Sequence, residues 1–200
     1  MNEKEKMLKG KPYEPLKDKE LERERISVKD LCIKYNSLSS TDKKEKNKLI
    51  KKIIGKTGKK IWVEPNFYCD YGYNIEVGEN FYINHNCVIL DCAKVKFGNN
   101  VFIGPNCGFY TAEHPLDYEN RNKGIEWAKP IKVGDNVWIG GNVTVLAGVT
   151  IGSKSVIGAG SVVVKDIPSN CVAVGNPCKV IKKLSEQITM KSSDDDSGNL

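Results

Sequence analysis

The fold is decided by residues 133–168, which read VGDNVWIGGNVTVLAGVTIGSKSVIGAGSVVVKDIP. Every sixth residue of this stretch is aliphatic: Val133, Ile139, Val145, Ile151, Ile157 and Val163. A period of six fits neither a helix of about 3.6 residues per turn nor a simple alternating strand. It is typical of short strands joined by tight turns, with one aliphatic side chain of each strand pointing inward. The stretch therefore predicts a hexapeptide-repeat β-solenoid.

Three such strands per coil would form a triangular prism of about 18 residues per turn, with coils stacked about 4.8 Å apart. The same rhythm is present upstream, where it is weaker. It begins near Ile61 and changes register once, which gives two successive rows: Val77, Ile83, Ile89 and Val95, then Phe97, Ile103 and Phe109. We therefore expect about five coils between residues 61 and 168.

The segments on either side of the solenoid have other patterns. Residues 18–36 and 41–54 carry apolar side chains at helical spacing, which predicts two short helices packed as a hairpin on the first coil. Residues 1–60 are thus expected to form a helical cap, and residues 61–184 the main domain. Beyond Pro168 we expect a strand, a turn and a short helix, followed by a disordered tail over 185–200.

Residues 110–131 interrupt the repeat with YTAEHPLDYENRNKGIEWAKPI. A solenoid corner needs only two or three residues, so this segment is expected to be a loop that leaves the prism. Loops of this length in compact domains are usually functional or disordered, and the three aromatic residues argue against disorder. The loop carries His114, one of only two histidines in the chain. Because catalytic groups concentrate on loops held by rigid scaffolds, His114 is a candidate catalytic residue.

The composition excludes several classes of protein. The net charge of +6 comes from residues 1–60, which hold 19 basic and 10 acidic side chains, so a solvated helix face is a better interpretation than nucleic-acid binding. The chain has no long apolar run and no apolar signal-peptide core, so we expect no membrane association and a cytoplasmic location. Its seven cysteines lack metal-type CxxC spacing, which favours buried reduced thiols.

The histidine count also bears on metal chemistry. Some solenoids of this kind are zinc hydratases, whose metal needs three imidazoles. This chain has only His85 and His114, so we expect no metal. His85 is interpreted as a wall residue near the site.

Six segments carry a resemblance to a known family: YCDYG at 68–72, FYIN at 81–84, ILD at 89–91, YTAEHP at 110–115, NVWIGG at 136–141 and GNPCKVI at 175–181. They resemble the maltose and galactoside O-acetyltransferases, which are hexapeptide-repeat acyltransferases closely related to the nodulation acetyltransferases. The likeness extends from about Met7 to Leu184. It implies a left-handed parallel β-helix that assembles as a homotrimer, with each active site between two prisms.

The resemblance also implies roles for individual residues. His114 would be the general base that removes a proton from a sugar hydroxyl, and Asn84 would stabilise the oxyanion. Sugar contacts would come from Asp70, from Asp91 or Cys92, and from Glu126. The galactoside relatives carry a serine and a second aspartate at the positions of Asp70 and Cys92, whereas CDYG resembles the maltose type, so the preferred sugar stays open.

Contacts to acetyl-CoA would come from a larger set of residues. Trp138 would line the thioester end, small residues would let the pantetheine arm approach the backbone, and lysines would face the phosphates. Besides Trp138, the set is Gly141, Ala159, Val164, Lys165, Lys179 and Lys182. Lys179 and Lys182 stand where relatives have arginine, which removes bidentate phosphate contacts.

Three functional hypotheses follow. The first is acetyl-CoA-dependent O-acetylation of a small sugar or glycoside by direct transfer, without an acyl-enzyme. The second is acetylation of an amino sugar, a serine or an antibiotic by the same residues. The third is a non-catalytic solenoid scaffold, in which His114 would be dispensable.

Overall fold

The amino-terminal segment is helical. The computed structural model describes residues 1–184, and its first helices are α1 (Glu3–Leu8), α2 (Lys19–Ser37) and α3 (Lys43–Ile53). The two predicted helices are confirmed, and α1 is an addition. Its signal is a capping box, in which Asn2 and Glu5 each satisfy the other's backbone N–H.

The cap closes the first coil, as predicted. Tyr35 of α2 donates its hydroxyl to the carbonyl of Val63, and the side chain of Asn36 bonds to both the N–H and the carbonyl of Phe67. Buried Ile50 and Ile53 of α3 belong to the same hydrophobic cluster as the solenoid interior. The helices therefore extend the solenoid core beyond its first strands. No helix within residues 1–184 is long and apolar enough to cross a membrane.

The solenoid is built from short strands. They are β1 Ile61–Val63, β2 Tyr68–Cys69, β3 Ile75–Val77, β4 Phe81–Ile83, β5 Val88–Leu90, β6 Val95–Phe97, β7 Phe102–Ile103, β8 Gly108–Tyr110, β9 Ala112–Glu113, β10 Trp127–Ala128, β11 Ile131–Val133, β12 Trp138–Ile139, β13 Thr144–Val145, β14 Thr150–Ile151, β15 Val156–Ile157, β16 Val162–Val163, β17 Cys171–Val174 and β18 Lys179–Lys183.

Three sheets form the walls of the prism. The first wall contains β1, β4, β7, β12, β15 and β17, all parallel, with β18 antiparallel at its end. The second wall contains β2, β5, β8, β13 and β16, and the third contains β3, β6, β11 and β14. Because successive strands pass from wall to wall, the described residues make five coils and the first side of a sixth. This confirms the predicted parallel solenoid.

The coil length changes along the chain. In the early coils Ile61 pairs with Phe81, a step of 20 residues, whereas in the later coils Trp138 pairs with Val156, a step of 18. The predicted period of 18 therefore holds only in the coils directly after the loop, and the last step, from Val156 to Val172, is 16 residues. The longer early coils explain why the aliphatic row changes register at Phe97.

Aliphatic residues fill the prism and asparagines line its corners. All six residues of the 133–163 row are buried, as predicted. Corner asparagines adopt positive φ, which asparagine tolerates better than most residues. Their side chains also bond from coil to coil, since Asn80 donates to Asn100 and Asn100 donates to Asn136. The seven cysteines are free and buried, in agreement with the expectation of reduced thiols.

The interruption of the repeat is an ordered excursion. Strand β9 pairs antiparallel with β10, and α4 (Tyr118–Asn122) lies between them. The backbone of Tyr13, near the amino terminus, exchanges two hydrogen bonds with Glu126, with N···O distances of 2.9 and 3.0 Å. The amino-terminal segment thus braces the base of the loop.

The expected helix after Pro168 is wrong. Residues 179–183 form strand β18, which pairs antiparallel with β17. The reason is that β17 ends the first wall and would otherwise leave its backbone groups unpaired, and residues 179–183 fold back to satisfy them. The expected tail at 185–200 lies outside the described residues.

Candidate active site

The loop holds His114 so that one ring nitrogen is engaged and the other has no hydrogen-bond partner among residues 1–184. Its Nδ1 lies 3.3 Å from the carbonyl oxygen of Ile125, which can only accept a hydrogen bond, so Nδ1 carries the proton. In neutral imidazole this leaves Nε2 with an unshared electron pair. That nitrogen lies 3.9 Å from Glu126 Oε2, and the side chain is 54% exposed. The ring is therefore set up to accept a proton at Nε2.

Glu126 is fixed beside this ring by Tyr13. The tyrosine hydroxyl donates to Glu126 Oε1, and both residues are buried. Burial raises the pKa of the Tyr13 hydroxyl, and the neighbouring Cys92 and Glu126 raise it further, so Tyr13 remains a donor. The other oxygen, Oε2, is left facing His114.

Cys92 lies between two carboxylates. Its sulfur is 3.6 Å from Asp70 Oδ2 and 3.9 Å from Glu126 Oε1. Burial raises the pKa of the Cys92 thiol, and the negative charge of Asp70 adds to the effect. Burial also raises the pKa of Asp70, while the thiol and the cations Arg25 and Lys29 act in the opposite direction. His114, Glu126, Cys92 and Asp70 therefore form one cluster.

Asp91 belongs to the support of this cluster. It is fully buried, and its Oδ1 accepts hydrogen bonds from the backbone N–H groups of Asp70 at 3.0 Å and Tyr71 at 2.9 Å. Its Oδ2 accepts from the N–H of Asn74 at 3.3 Å. Since both oxygens serve the backbone, Asp91 holds the turn that carries Asp70. Of the two alternatives for a sugar contact, the geometry favours Cys92.

Asn84 lies at a different corner of the prism, which joins β4 to β5 and is called the Asn84 edge below. Its Oδ1 lies 2.8 Å from the backbone nitrogen of His85 and 2.7 Å from that residue's Nδ1. Its Nδ2 has no hydrogen-bond partner among residues 1–184. The amide is therefore held by its oxygen, with its two N–H groups available.

The Asn84 edge continues along the prism to the small residues expected near the coenzyme. Backbone bonds join the coils at this edge, from Asn84 to Ile103 and from Gly140 to Ile157. Gly141 and Ala159 follow on the next coils and leave the corner without large side chains. Beside them on the first wall, the residue Trp138 is 58% exposed.

The strand β18 brings a lysine into line with Trp138. Along the first wall Trp138 pairs with Val156, Val156 with Val172, and Val172 with Lys182. Paired residues project from the same side of a sheet, so the indole and the lysine share the outer face, three strands or about 14 Å apart. Lys179 lies on the same strand. Val164 and Lys165 follow β16, at the edge where the strands of the second wall end.

One copy of the chain keeps the two candidate catalytic groups apart. Asn84 precedes β5, whereas His114 follows β8, and these parallel strands are neighbours in the second wall. The starts and ends of parallel strands lie at opposite edges, separated here by about 10 Å of sheet. The corner that carries the loop is called the His114 edge. No hydrogen bond among residues 1–184 joins it to Asn84.

Two sets of contacts in the candidate active site were not predicted from the sequence. The bracing of Glu126 by Tyr13 joins residues 113 apart, and no local period reports such a contact. The neighbours of His85, at Glu64 and Trp62, are brought together only by stacking of the first two coils. Tyr13 falls within the stretch that carries the resemblance, which was the available signal.

Comparison with known proteins places the chain in a class. A model described as the maltose acetyltransferase hexapeptide capping motif matches residues 6–58, and one described as bacterial transferase hexapeptide (six repeats) matches 130–165. The fold is thus that of a hexapeptide-repeat acyltransferase.

Solved structures narrow the class to a family. A maltose O-acetyltransferase from Clostridium difficile is 52% identical, with a TM-score of 0.91 over 93% of this chain and 99% of that one. A galactoside acetyltransferase in complex with coenzyme A is 41% identical, with a TM-score of 0.89 over 92% of each. A Vibrio cholerae hexapeptide-repeat acetyltransferase complexed with acetyl-CoA is 40% identical, with a TM-score of 0.86 over 93% and 100%. The chain belongs to the maltose and galactoside acetyltransferase family.

Proposed function

We propose that the protein transfers an acetyl group from acetyl-CoA to a hydroxyl of a small sugar or glycoside. The observation that carries this proposal is the His114 imidazole, whose Nδ1–H is held by the Ile125 carbonyl while Nε2 is left free. The structural relatives that bind acetyl-CoA and coenzyme A support the identity of the donor. The maltose and galactoside relatives support a sugar as acceptor.

The reaction follows from the free nitrogen of His114. Nε2 takes the proton of the acceptor hydroxyl as the oxygen attacks the thioester carbonyl. The tetrahedral intermediate carries its negative charge on the former carbonyl oxygen, where the Asn84 Nδ2–H group donates a hydrogen bond. Collapse of the intermediate breaks the carbon–sulfur bond, and the imidazolium returns the proton to the departing thiolate. The products are the acetyl ester and free coenzyme A.

Glu126 serves His114 through its charge. The carboxylate oxygen at 3.9 Å lies beyond hydrogen-bond distance, yet it is close enough to stabilise the imidazolium as it forms. Tyr13 holds the other oxygen, so the carboxylate cannot turn away.

The acceptor lies against the cluster of Asp70, Cys92 and Glu126. Carboxylates accept hydrogen bonds from sugar hydroxyls, and Asp70 and Glu126 flank the Cys92 thiol at 3.6 and 3.9 Å. The protonated thiol donates to either carboxylate. Asp91 keeps the turn of Asp70 in place and does not touch the acceptor.

The donor lies along the Asn84 edge, with its thioester end at Trp138. Gly141 and Ala159 let the pantetheine arm approach the corner, and Lys182 faces the phosphates from the far end of the row that begins at Trp138. Lys165 and Val164 lie at the His114 edge, so they reach this donor only from a second copy of the chain.

Two copies are therefore needed to complete the site, and we assign the assembly as a homotrimer. His114 and Asn84 lie at opposite edges of the second wall, so a neighbour must bring its His114 edge to the Asn84 edge. The loop suits this task because its tip presents apolar Leu116 with 98% of the residue exposed.

The test is a thiol-release assay with acetyl-CoA across a panel of monosaccharides and disaccharides, with glucosamine and serine as nitrogen and non-sugar acceptors. We expect release above the hydrolysis background with at least one neutral sugar, and mass spectrometry should find a product 42 Da heavier, as an acetyl group requires. Release with glucosamine or serine alone would favour the second hypothesis. No release with any acceptor would favour a scaffold.

A further inference from the structure

We propose that His85 is a positioning residue that fixes and polarises the side-chain amide of Asn84. The inference rests on the proposed function, in which Asn84 Nδ2 donates to the oxyanion. It assigns a role to the second histidine, which no sequence motif explains.

The orientation of the Asn84 amide follows from its neighbours. The backbone nitrogen of His85 lies 2.8 Å from the side-chain oxygen of Asn84, and a backbone N–H can only donate. The facing atom must therefore be the amide oxygen, because an NH₂ group there would meet another donor. The same oxygen lies 2.7 Å from His85 Nδ1, so this nitrogen must also carry a proton. Two donors hold Oδ1, and Nδ2 is turned away from them.

Glu64 and Trp62 lie on the other side of the imidazole. His85 Nε2 lies 3.6 Å from Glu64 Oε2. The remaining carboxylate oxygen of Glu64 accepts a hydrogen bond of 2.7 Å from Trp62 Nε1. The indole thus anchors the carboxylate, the carboxylate faces the imidazole, and the imidazole donates to the amide. With Nδ1 as the donor to Asn84, Nε2 attracts this carboxylate only when the imidazole is protonated, and the 3.6 Å contact then limits rotation of the ring.

This network does two things for an oxyanion donor. The terminal torsion of asparagine has a broad, two-fold energy profile, so hydrogen bonds decide which amide atom faces the substrate. An N–H donor on the amide oxygen also draws electron density toward that oxygen, which makes the Nδ2–H groups stronger donors. Both effects act only through Asn84 and leave the binding of acetyl-CoA unchanged.

Two matched variants separate the two nitrogens of His85. Asparagine at this position places its amide nitrogen near the place of Nδ1, whereas glutamine places its own near the place of Nε2. We expect His85→Asn to keep the turnover number within about threefold of the parent. His85→Gln and His85→Phe should lower it about tenfold, with the Michaelis constant for acetyl-CoA changed less than about twofold. Equal losses in all three variants, or a loss seen only in the Michaelis constant, would overturn the proposal.

A double-mutant cycle with Asn84→Ala excludes a merely structural role. If His85 acts through Asn84, His85→Phe should lower turnover in the parent and have no further effect in the Asn84→Ala background. A tenfold loss in both backgrounds would show that His85 acts independently, and the proposal would fail. If Asn84→Ala alone lost less than about tenfold, the fault would lie in the proposed oxyanion role itself. Melting temperatures of all variants should agree with the parent's, since the imidazole is half exposed.

Discussion

At the scale of single residues, the role of a side chain depends on which of its atoms the protein already uses. Asp91 has both oxygens engaged by backbone N–H groups, so it supports the fold. Within the described part of the chain, His114 has Nδ1 engaged and Nε2 without a hydrogen bond, and Asn84 has its oxygen engaged and its nitrogen without one. The sequence predicted His114 as the catalytic base and left Asp91 as an alternative to Cys92, and the engaged oxygens of Asp91 decide between those two.

Replacing His114 with alanine removes the only proposed base. A sugar hydroxyl is almost wholly protonated at neutral pH, so the turnover number should fall about 10²–10⁴-fold. Acetyl-CoA binding, measured by calorimetry, should be retained, because His114 is not among the proposed contacts to the donor. Asn120→Ala, on the same loop, serves as the control. If His114→Ala kept more than a tenth of parental turnover, the base would have to be sought elsewhere, with His85 next to be tested.

Titration of Asp91 should make the unfolding free energy depend on pH. Burial raises its pKa to about 6, above the ordinary value of about 3.9 expected in the unfolded chain, although backbone hydrogen bonds oppose the shift. The folded state then holds a proton that the unfolded state has lost, so the unfolding free energy should fall as pH rises from about 4 to about 6.

The measurement compares urea unfolding of the parent with that of Asp91→Asn across this pH range. The parent's loss relative to the variant should sum to on the order of 1–3 kcal/mol. Other carboxylates titrate in both proteins and cancel in the difference. A difference that does not change with pH would mean that Asp91 titrates as an exposed carboxyl does.

Among the helices and strands, the sequence predicted those whose structure depends on a local repeat. The row from Val133 to Val163 predicted its own burial because each coil repeats the same inward position. Strand β18 was predicted as a helix because VIKK has no distinctive period, and its pairing depends on the open edge of β17. The hydrogen bond between Tyr13 and Glu126 could not be predicted from local patterns either, because it joins segments that are distant in sequence.

Ile151 tests the contribution of the aliphatic row to stability. It is fully buried in the interior that all coils share, with backbone pairing to Val133 and Ile167 on adjacent coils. Ile151→Ala should lower the unfolding free energy by about 2–5 kcal/mol through the cavity that it leaves. Leu116→Ala, at an exposed position, should change the stability of the isolated chain by less than about 0.5 kcal/mol. A loss below about 1 kcal/mol at Ile151 would contradict tight packing of the interior.

The position of Lys182 on strand β18 leads to a prediction about the binding of acetyl-CoA. Lys182 lies in line with Trp138 and should attract the phosphates equally in the ground and transition states. Lys182→Ala should therefore raise the Michaelis constant for acetyl-CoA several-fold, with turnover changed less than about twofold. Lys183→Ala is the matched control, because its side chain projects from the other side of the strand. A fall in turnover without a change in the Michaelis constant would place the phosphates elsewhere.

At the scale of the whole molecule, the question is how the two edges of the prism meet. The sequence resemblance implied a site between copies, and the structure gives a physical reason for it: the second wall separates Asn84 from His114 within one copy by about 10 Å. In the proposed trimer, one edge of each copy would meet the other edge of its neighbour, and a head-to-tail interface of this kind forms a ring when its rotation closes.

Mixed oligomers of two inactive variants test this arrangement directly. His114→Ala and Asn84→Ala are co-expressed with different affinity tags, and oligomers that carry both tags are purified. If each site takes His114 from one copy and Asn84 from its neighbour, every mixed trimer has one interface at which both residues are intact. Mixed trimers should then recover about a third of parental turnover, far above either variant alone.

The control replaces His114→Ala with the double variant His114→Ala/Asn84→Ala, again co-expressed with Asn84→Ala. No arrangement of these two chains contains an intact Asn84, so activity should stay at the level of the single variants. Light scattering on each purified sample should give the mass of a trimer. Mixed trimers as inactive as this control would mean that His114 and Asn84 of one copy serve the same site, and the loop would then have to fold back across the second wall to reach Asn84.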